Sequence, residues 1–510
     1  MTRTVTPHRP AQRVRRDGFR QLLHAEWTKF RTVLGWVTGM VVAALMMVLV
    51  ALLAGVSSDQ KGSPPVPVGP GGEPVTDSFY FLHQPLAGDG SISISISALD
   101  SSVPKGLGDL RPGVVPWAKA GLIIKQSTRQ GSPYAAIMVT ASHGVRMQDN
   151  YVNDTAGLPG PVSAASVRWL RLDRSGDMIT GYASMDGKNW AKVGTARVSG
   201  LGSTVQVGLF VASPQTVEGF GVAGSVSTAA FGDPRFQEGW TGGAWTGEQL
   251  GAHSPTFAGF PGNGSGSFTQ SGGRFTVTGA GDIAPAVRET LPTGGTLSDF
   301  LNTGTFAALI AVIVVGALFV TTEYRKNLIH VTLAASPRRG RVLLAKAIVL
   351  GAVTFVAGLA GAVLAVPLGT RLARANGVYI FPVTSSTELR IALGTAGLLA
   401  TASILALSVA VIFRNSASAV TTVIVAIVLP YILIANPFMP ASVANWLTRV
   451  TPAAAFAVQQ ALVQYPQVTG SYKPYNGYYP LAPWAGLAVL AGYAVVSLAV
   501  AAVVLRRRDA

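Results

Sequence analysis

Six uninterrupted apolar runs constrain this chain more than any other feature. They are Val33–Gly55, Thr305–Thr322, Lys346–Thr370, Ile391–Phe413, Ala417–Ala435 and Trp484–Leu505. Apart from Lys346 at its edge, none of them holds a charged residue. A run of about 20 apolar residues crosses a bilayer as a helix, which satisfies every backbone N–H and C=O internally. Charged residues make up 12% of the chain, about half the share of an ordinary soluble protein. That composition excludes a plain soluble enzyme and a disordered chain. The sequence contains no cysteine, which removes disulfides, thiolate metal sites and cysteine nucleophiles.

The net charge of +16 is unevenly placed. Residues 56–303 carry 16 basic and 18 acidic groups, whereas the remaining 262 residues carry 23 basic and 5 acidic ones. The basic excess therefore flanks the apolar runs, where it acts as a topology signal, and no nucleic-acid-binding motif accompanies it. With the N-terminus inside, the inner segments hold 18 basic residues and the short outer loops five. This bias predicts a multi-pass plasma-membrane protein with both termini cytoplasmic and residues 56–303 extracellular. A cleaved signal peptide fits poorly. The segment before Val33 runs 32 residues, the apolar run is long, and Leu52–Leu53–Ala54 lacks the small residue a cleavage site needs. The weaker apolar stretch Pro440–Tyr465 reads as short re-entrant or surface helices.

The outer segment has a different periodicity. Residues 56–75 form a linker that includes the Pro/Gly-rich Lys61–Pro74. Ser91–Leu99 reads SISISISAL, a strict period of two, the mark of a half-buried strand. Val167–Asp173, Met178–Ser184, Trp190–Val198 and Val205–Ala212 follow as strands between Gly/Asp turns, predicting a β-sandwich over about 76–290. The segments Trp117–Lys125, Ser132–Thr140, Trp169–Gly194 and Val205–Ser213 resemble bacterial concanavalin-like jelly-roll domains. In that family a strand like GSFTQSGGRFTVTGAGDI comes first, whereas here it sits late, at Gly266–Ile283, which implies a permuted strand order. A domain inserted between two spans needs both ends near the membrane, so its first and last strands are expected to pair. Related glucanases use clustered carboxylates, as retaining chemistry requires two carboxyl groups about 5–5.5 Å apart, and no such cluster stands in this sequence. Asp173, Asp177 and Asp186 fall at strand ends or turns, where Asp serves the backbone. Trp117, Trp169 and Trp190 are the candidates for stacking on a glycan. His83 and His143 stand alone, and no metal site is expected.

Residues 1–32 form a basic segment ending in FRQLLHAEWTKFR, Phe19–Arg31, an amphipathic helix with Trp27 at headgroup level. HAEWTKFRTV, His24–Val33, resembles the start of bacterial, actinobacterial-like ABC-2-type transporter permeases. Thr321–Val349, with E-Y-R, then S-P-R-R, then a Lys opening the next span, resembles the inner loop of the same family. Lys346 is read as a membrane-edge cation free to snorkel. The resemblance implies a coupling loop over 323–345 that docks on an ATPase through Glu323, Tyr324, Arg325, Pro337, Arg338 and Arg339, and an elbow helix presenting Glu26, Trp27 and Lys29. The large insertion after the first span is a departure from the family, many of whose members have a short loop there.

The expected fold is thus a membrane α-helical bundle of six transmembrane helices with an inserted all-β extracellular sandwich of jelly-roll, concanavalin-like type. The chain has no P-loop. Its Gly187–Lys188 pair has Tyr182 where the first Gly belongs and Asn189 afterwards. It is therefore read as a non-enzyme that binds no cofactor, with ATP and magnesium held by a partner subunit. The spans hold no Asp, Glu or His, which argues against ion-coupled transport. Gly351, Gly358, Gly361, Gly394 and Gly397 let helices approach closely. These readings converge on the permease subunit of an ABC-2 exporter. Its expected partners are an ABC ATPase, a second permease in a homo- or heterodimer, membrane lipids, and a glycan or surface protein on the sandwich. No nucleic acid is expected. The alternative is a membrane-anchored surface glycan-binding receptor or adhesin.

Overall fold

The computed structural model describes residues 18–508 apart from 106–108, 219–220, 292–294, 327, 329–337, 435–438 and 471. Its helices are α1 (Phe19–Thr32), α2 (Leu34–Ser57), α3 (Leu297–Arg325), α4 (Arg339–Ala375), α5 (Ser385–Phe413), α6 (Ser416–Ile434), α7 (Ala441–Val450) and α8 (Pro483–Arg508). Six of these, α2 to α6 and α8, are long and apolar enough to cross a membrane. Val33 separates α1 from α2 in an extended conformation, φ −91° and ψ 99°, so the chain changes direction before the first span. α4 has 37 residues and is about 55 Å long at 1.5 Å per residue, well beyond the roughly 30 Å hydrocarbon layer.

Small residues set the spacing of the bundle. A Cβ on Gly361 of α4 would lie 3.2 Å from Ala44 Cα and 2.9 Å from Met47 Sδ of α2. One on Gly316 of α3 would lie 2.6 Å from the Ser403 carbonyl oxygen of α5. Without Cβ atoms the backbones come close enough for dense van der Waals packing, the main attraction between helices in lipid. After α7 the chain enters the bundle as a 3₁₀ helix, Pro452–Gln459, all of whose residues are buried. The Gln459 amide donates to the hydroxyls of Thr305 and Thr395, 3.0 Å each, so its polar tip is satisfied among apolar neighbours.

The segment between α2 and α3 is a two-sheet antiparallel sandwich. The order in one sheet is Thr246–Gln249, Tyr80–Ala87, Thr204–Ala212, Lys119–Lys125, Tyr134–Thr140, Val145–Asp149, Asn153–Ala156. The second runs Ala191–Arg197, Met178–Ser184, Arg168–Ser175, Gly90–Pro104, Val226–Phe231, Arg274–Gly279, Ser267–Ser271. Ile92, Ile94 and Ile96 of the SISISIS repeat face the space between the sheets and are fully buried beside Leu122, Ile137, Leu170 and Leu209. The late Gly266–Ile283 segment supplies the last two strands at one end of the second sheet, while Val75–Asp77 pairs antiparallel with Ile283–Pro285. The domain's ends therefore leave side by side, as an insertion between two spans requires. A second apolar cluster, including Phe79, Phe81, Ile123, Met138 and Phe210, covers the opposite face of the first sheet against Val75 and Ile283. Both faces of that sheet are thus buried.

The sandwich also rests on the segments that follow α4 and α7. Ala286 and Leu291 pack with Phe381, Leu462 and Tyr478, and Ala284 and Val287 pack with Val468. The Gln467 amide donates to the Val152 carbonyl at 2.9 Å, and Asn476 donates to Glu289 at 2.9 Å. The half-buried Tyr472 donates its hydroxyl to the Tyr465 carbonyl at 2.8 Å, and partial burial pushes its pKa up to about 12.

Candidate coupling site at the arginine-rich end of the bundle

α1 is amphipathic, and its two faces differ sharply in burial. Glu26 and Phe30, four residues apart and hence on one face, are 0% and 2% exposed, whereas Trp27 is 43% exposed. A buried carboxylate needs a charged partner, and Glu26 has two. Lys346 Nζ lies 2.8 Å from its Oε2 and Lys29 Nζ 2.9 Å from its Oε1. The same two ammonium groups reach Glu323, at 2.6 Å from Lys346 and 3.2 Å from Lys29. Two lysines and two glutamates thus form a neutral ring that joins α1, the end of α3 and the start of α4.

Beneath the ring lies an aromatic floor. Lys346 Nζ sits 4.8 Å from the Phe319 ring centroid, a favourable cation–π geometry. Phe319 packs edge-on against Phe30 at 5.6 Å and Trp36 at 4.9 Å. The rings exclude water from the carboxylates and raise the cost of separating the charges. The Lys29 ammonium feels burial, which lowers its pKa, but the hydrogen bond and charge of Glu26, then those of Glu323, outweigh it and hold the pKa above the usual lysine range.

Lys346 corrects an expectation. It is not a snorkelling edge cation, being 1% exposed and bonded to both carboxylates. The reason is helix length. α4 begins at Arg339, so Lys346 lies seven residues inside it, about two turns from its start. No local signal marked it as the partner of Glu26, 320 residues away.

The other predicted coupling residues are dispersed. Arg325 is exposed, and Tyr324 is half-buried with the Arg414 guanidinium 5.4 Å from its ring centroid. Arg338 is exposed at the start of α4, and Arg339 donates to the Leu505 carbonyl of α8 at 2.8 Å. Pro337 lies outside the described residues.

The three tryptophans of the sandwich occupy separate places. Trp117, 6% exposed, stacks on His143 with centroids 3.9 Å apart, just before the strand Lys119–Lys125. Trp169 is half-buried in the other sheet, under the Arg235 guanidinium at 5.0 Å, and Trp190 is half-buried just before Ala191–Arg197. Among the described residues no two of the three rings are in contact. Asp173 lies within the strand Arg168–Ser175, beyond the strand-end position expected, and accepts from Ser91 and Arg171. Asp186 follows the turn reading. It accepts from the backbone N–H groups of Lys188 and Asn189, and these bonds hold its pKa well below the usual carboxylate range. His83 bridges Gln206 and Glu248 at 2.7 and 3.1 Å. Among the described residues there is no group of three or more His, Asp or Glu side chains arranged to hold a metal.

Six helices long and apolar enough to cross a membrane, an elbow helix tied to them by buried ion pairs and an inserted sandwich define a multi-pass membrane protein rather than a single-span anchor. Residues 144–510 match the family described as ABC-2 family transporter protein, and the chain belongs to that family. No curated protein matches the chain in sequence. Similar solved structures include scytalido-glutamic peptidase with a transition state analog inhibitor, at 7% identity and TM-score 0.26, covering 40% of this chain and 98% of that one. They also include a functionally unknown protein from Saccharomyces cerevisiae, at 14% identity and TM-score 0.22, covering 38% and 84%. A third is the alginate lyase from Klebsiella pneumoniae, at 10% identity and TM-score 0.16, covering 40% and 61%. None of their activities transfers to this chain at such low scores.

Proposed function

We propose that this chain is the permease subunit of an ATP-driven ABC-2 exporter, in which a separate subunit binds ATP and magnesium and hydrolyses the nucleotide. It works as a dimer in the plasma membrane, with both termini cytoplasmic and the sandwich extracellular. The charge ring of Glu26, Lys29, Glu323 and Lys346 carries this reading. It fastens the elbow helix to the two helices that flank the inner loop, so a displacement imposed on the loop moves three elements together. Arg325 and Arg338, exposed at the two edges of that loop, face the ATPase. The sandwich, braced on the outer loops, recognises cargo or a surface ligand and reports or restrains the movement of the spans beneath it.

The test is co-purification from native membranes in mild detergent, comparing wild type with Arg325→Glu/Arg338→Glu. Both substitutions leave the buried ring intact. Wild type should bring down a P-loop ATPase in stoichiometric amount and the variant should lose it. An intact, folded wild-type protein that brings down no ATPase would sink the proposal.

A further inference from the structure

At the arginine-bearing end of the bundle, α4 and α8 enclose an open groove of about 830 Å³. Its mouth is basic. Arg338, Arg339, Arg341 and Arg506 line it, and no ion pair of Arg338, Arg341 or Arg506 occurs among the described residues. The Arg506 guanidinium lies close to Gly340, since a Cβ there would be 3.4 Å from Nη2. Together with the Arg339 bond to the Leu505 carbonyl, this brings the two helix ends into one patch.

Below the mouth the groove becomes apolar. Leu344 from α4 and Val495, Leu498 and Ala502 from α8 line it. The α8 residues recur at helical spacing, so they form a continuous stripe on one face. Leu344 is 44% and Val495 66% exposed, so the shaft opens sideways between the helices. From Val495 to Arg506 is 11 residues, about 16 Å of helix, which is close to half of the roughly 30 Å hydrocarbon layer. A water-soluble anion would gain nothing from such a shaft. A lipid whose phosphate meets the arginines would lay one acyl chain along it, through one leaflet.

We infer that this groove is a binding site for one acidic phospholipid of the leaflet at that end. The guanidinium groups at the mouth hold the phosphate by charge-assisted hydrogen bonds, and the apolar stripe holds a chain. Basic pockets between transmembrane helices at a membrane surface bind anionic headgroups by this chemistry. A lipid so placed bridges the start of α4 and the end of α8. The inference does not depend on the identity of the ATPase or on transport.

The experiment uses the full chain, reconstituted in nanodiscs of phosphatidylglycerol and phosphatidylcholine in equal parts, with retained lipid counted by native mass spectrometry. Wild type should keep one phosphatidylglycerol in preference to phosphatidylcholine. Arg341→Gln/Arg506→Gln should bind it about thirtyfold more weakly, because each basic group near an anionic surface contributes about fivefold. Ala502→Phe, which fills the shaft and keeps every charge, should lose it as well. Ala499→Leu is a milder version if the Phe variant does not elute as a single species. Excess inorganic phosphate should not displace the lipid.

Unchanged retention in the arginine variant would overturn the inference. Loss in that variant with unchanged retention in both shaft variants would mean diffuse surface charge, and would overturn it too. Displacement by phosphate would mean a free-anion site. A change in oligomer size in the shaft variants with lipid retention unaltered would mean that a second copy covers this face. ATPase co-purification should survive in the arginine variant, which separates failure of this site from failure of the permease reading.

Discussion

At the residue scale, the decisive feature is a ring in which each charge is balanced. Lys346→Met leaves two buried carboxylates with only Lys29 between them. Removing one partner from a buried ion pair costs about 3–5 kcal/mol, and the detergent-solubilised variant should melt well below wild type. Glu26→Gln/Lys346→Met removes one charge of each sign and leaves Lys29 with Glu323. It should recover most of the loss, and a double-mutant cycle read by thermal unfolding measures that coupling. Additive losses would mean that the ring is not a unit. Lys29 adds a pH signature. A lysine whose pKa is raised on folding contributes stability that is complete below its ordinary value of 10.5 and is lost as pH rises through the raised one. The stability difference between wild type and Lys29→Met should therefore shrink on going from about pH 9 to about pH 12. A constant difference would mean that Lys29 acts by packing alone.

At the scale of elements, helix spacing depends on which glycines face a backbone. Gly361 faces Ala44 and Met47 of α2 at 3.2 and 2.9 Å. Gly361→Leu must push α4 and α2 apart, and overpacking of this kind costs about 1–3 kcal/mol. Gly492 of α8 has nothing within 4 Å of its added Cβ, so Gly492→Ala should be neutral or slightly stabilising through helix propensity. Measured side by side by thermal melting, the two separate packing from propensity. Equal effects would contradict the α2–α4 contact. Both glycines look alike in the sequence, each set among apolar residues, and only the neighbouring helix distinguishes them.

At the scale of the whole molecule, the sandwich is inserted through paired ends and braced by the segments that follow α4 and α7. Val75 and Pro285 are register partners, and paired strands lie about 5 Å apart. Residues 76–284 should therefore be replaceable by a short Gly/Ser linker without preventing insertion of the six spans. The excised protein should melt lower than wild type, because it loses the apolar contact of Ala284 with Val468 and the Val152 carbonyl that accepts from Gln467. Hydrogen exchange in residues 460–470 should rise at the same time. Unchanged exchange there would show that the sandwich does not brace the bundle.

Much of this organisation was legible in one dimension. The six spans follow from hydropathy alone, since lipid accepts only internally bonded backbone. The strand over Ser91–Leu99 follows from the alternation of Ser and Ile, which places Ile92, Ile94 and Ile96 on one face, and the structure extends it to Gly90–Pro104. Glu26, Lys29 and Glu323 stand in the two segments that resemble the family, and Glu323 is one of five acids outside residues 56–303. Their arrangement was not legible, because Lys29 and Glu323 are 294 residues apart and Lys346 and Glu26 are 320 apart. Hydropathy and alternation are local quantities, and the chain expresses them residue by residue. Which carboxylate meets which ammonium, which glycine meets a backbone, and which tryptophan is stacked on His143 depend on the approach of distant segments. Those pairings are decided by packing in three dimensions, and they are what only the tertiary structure determined.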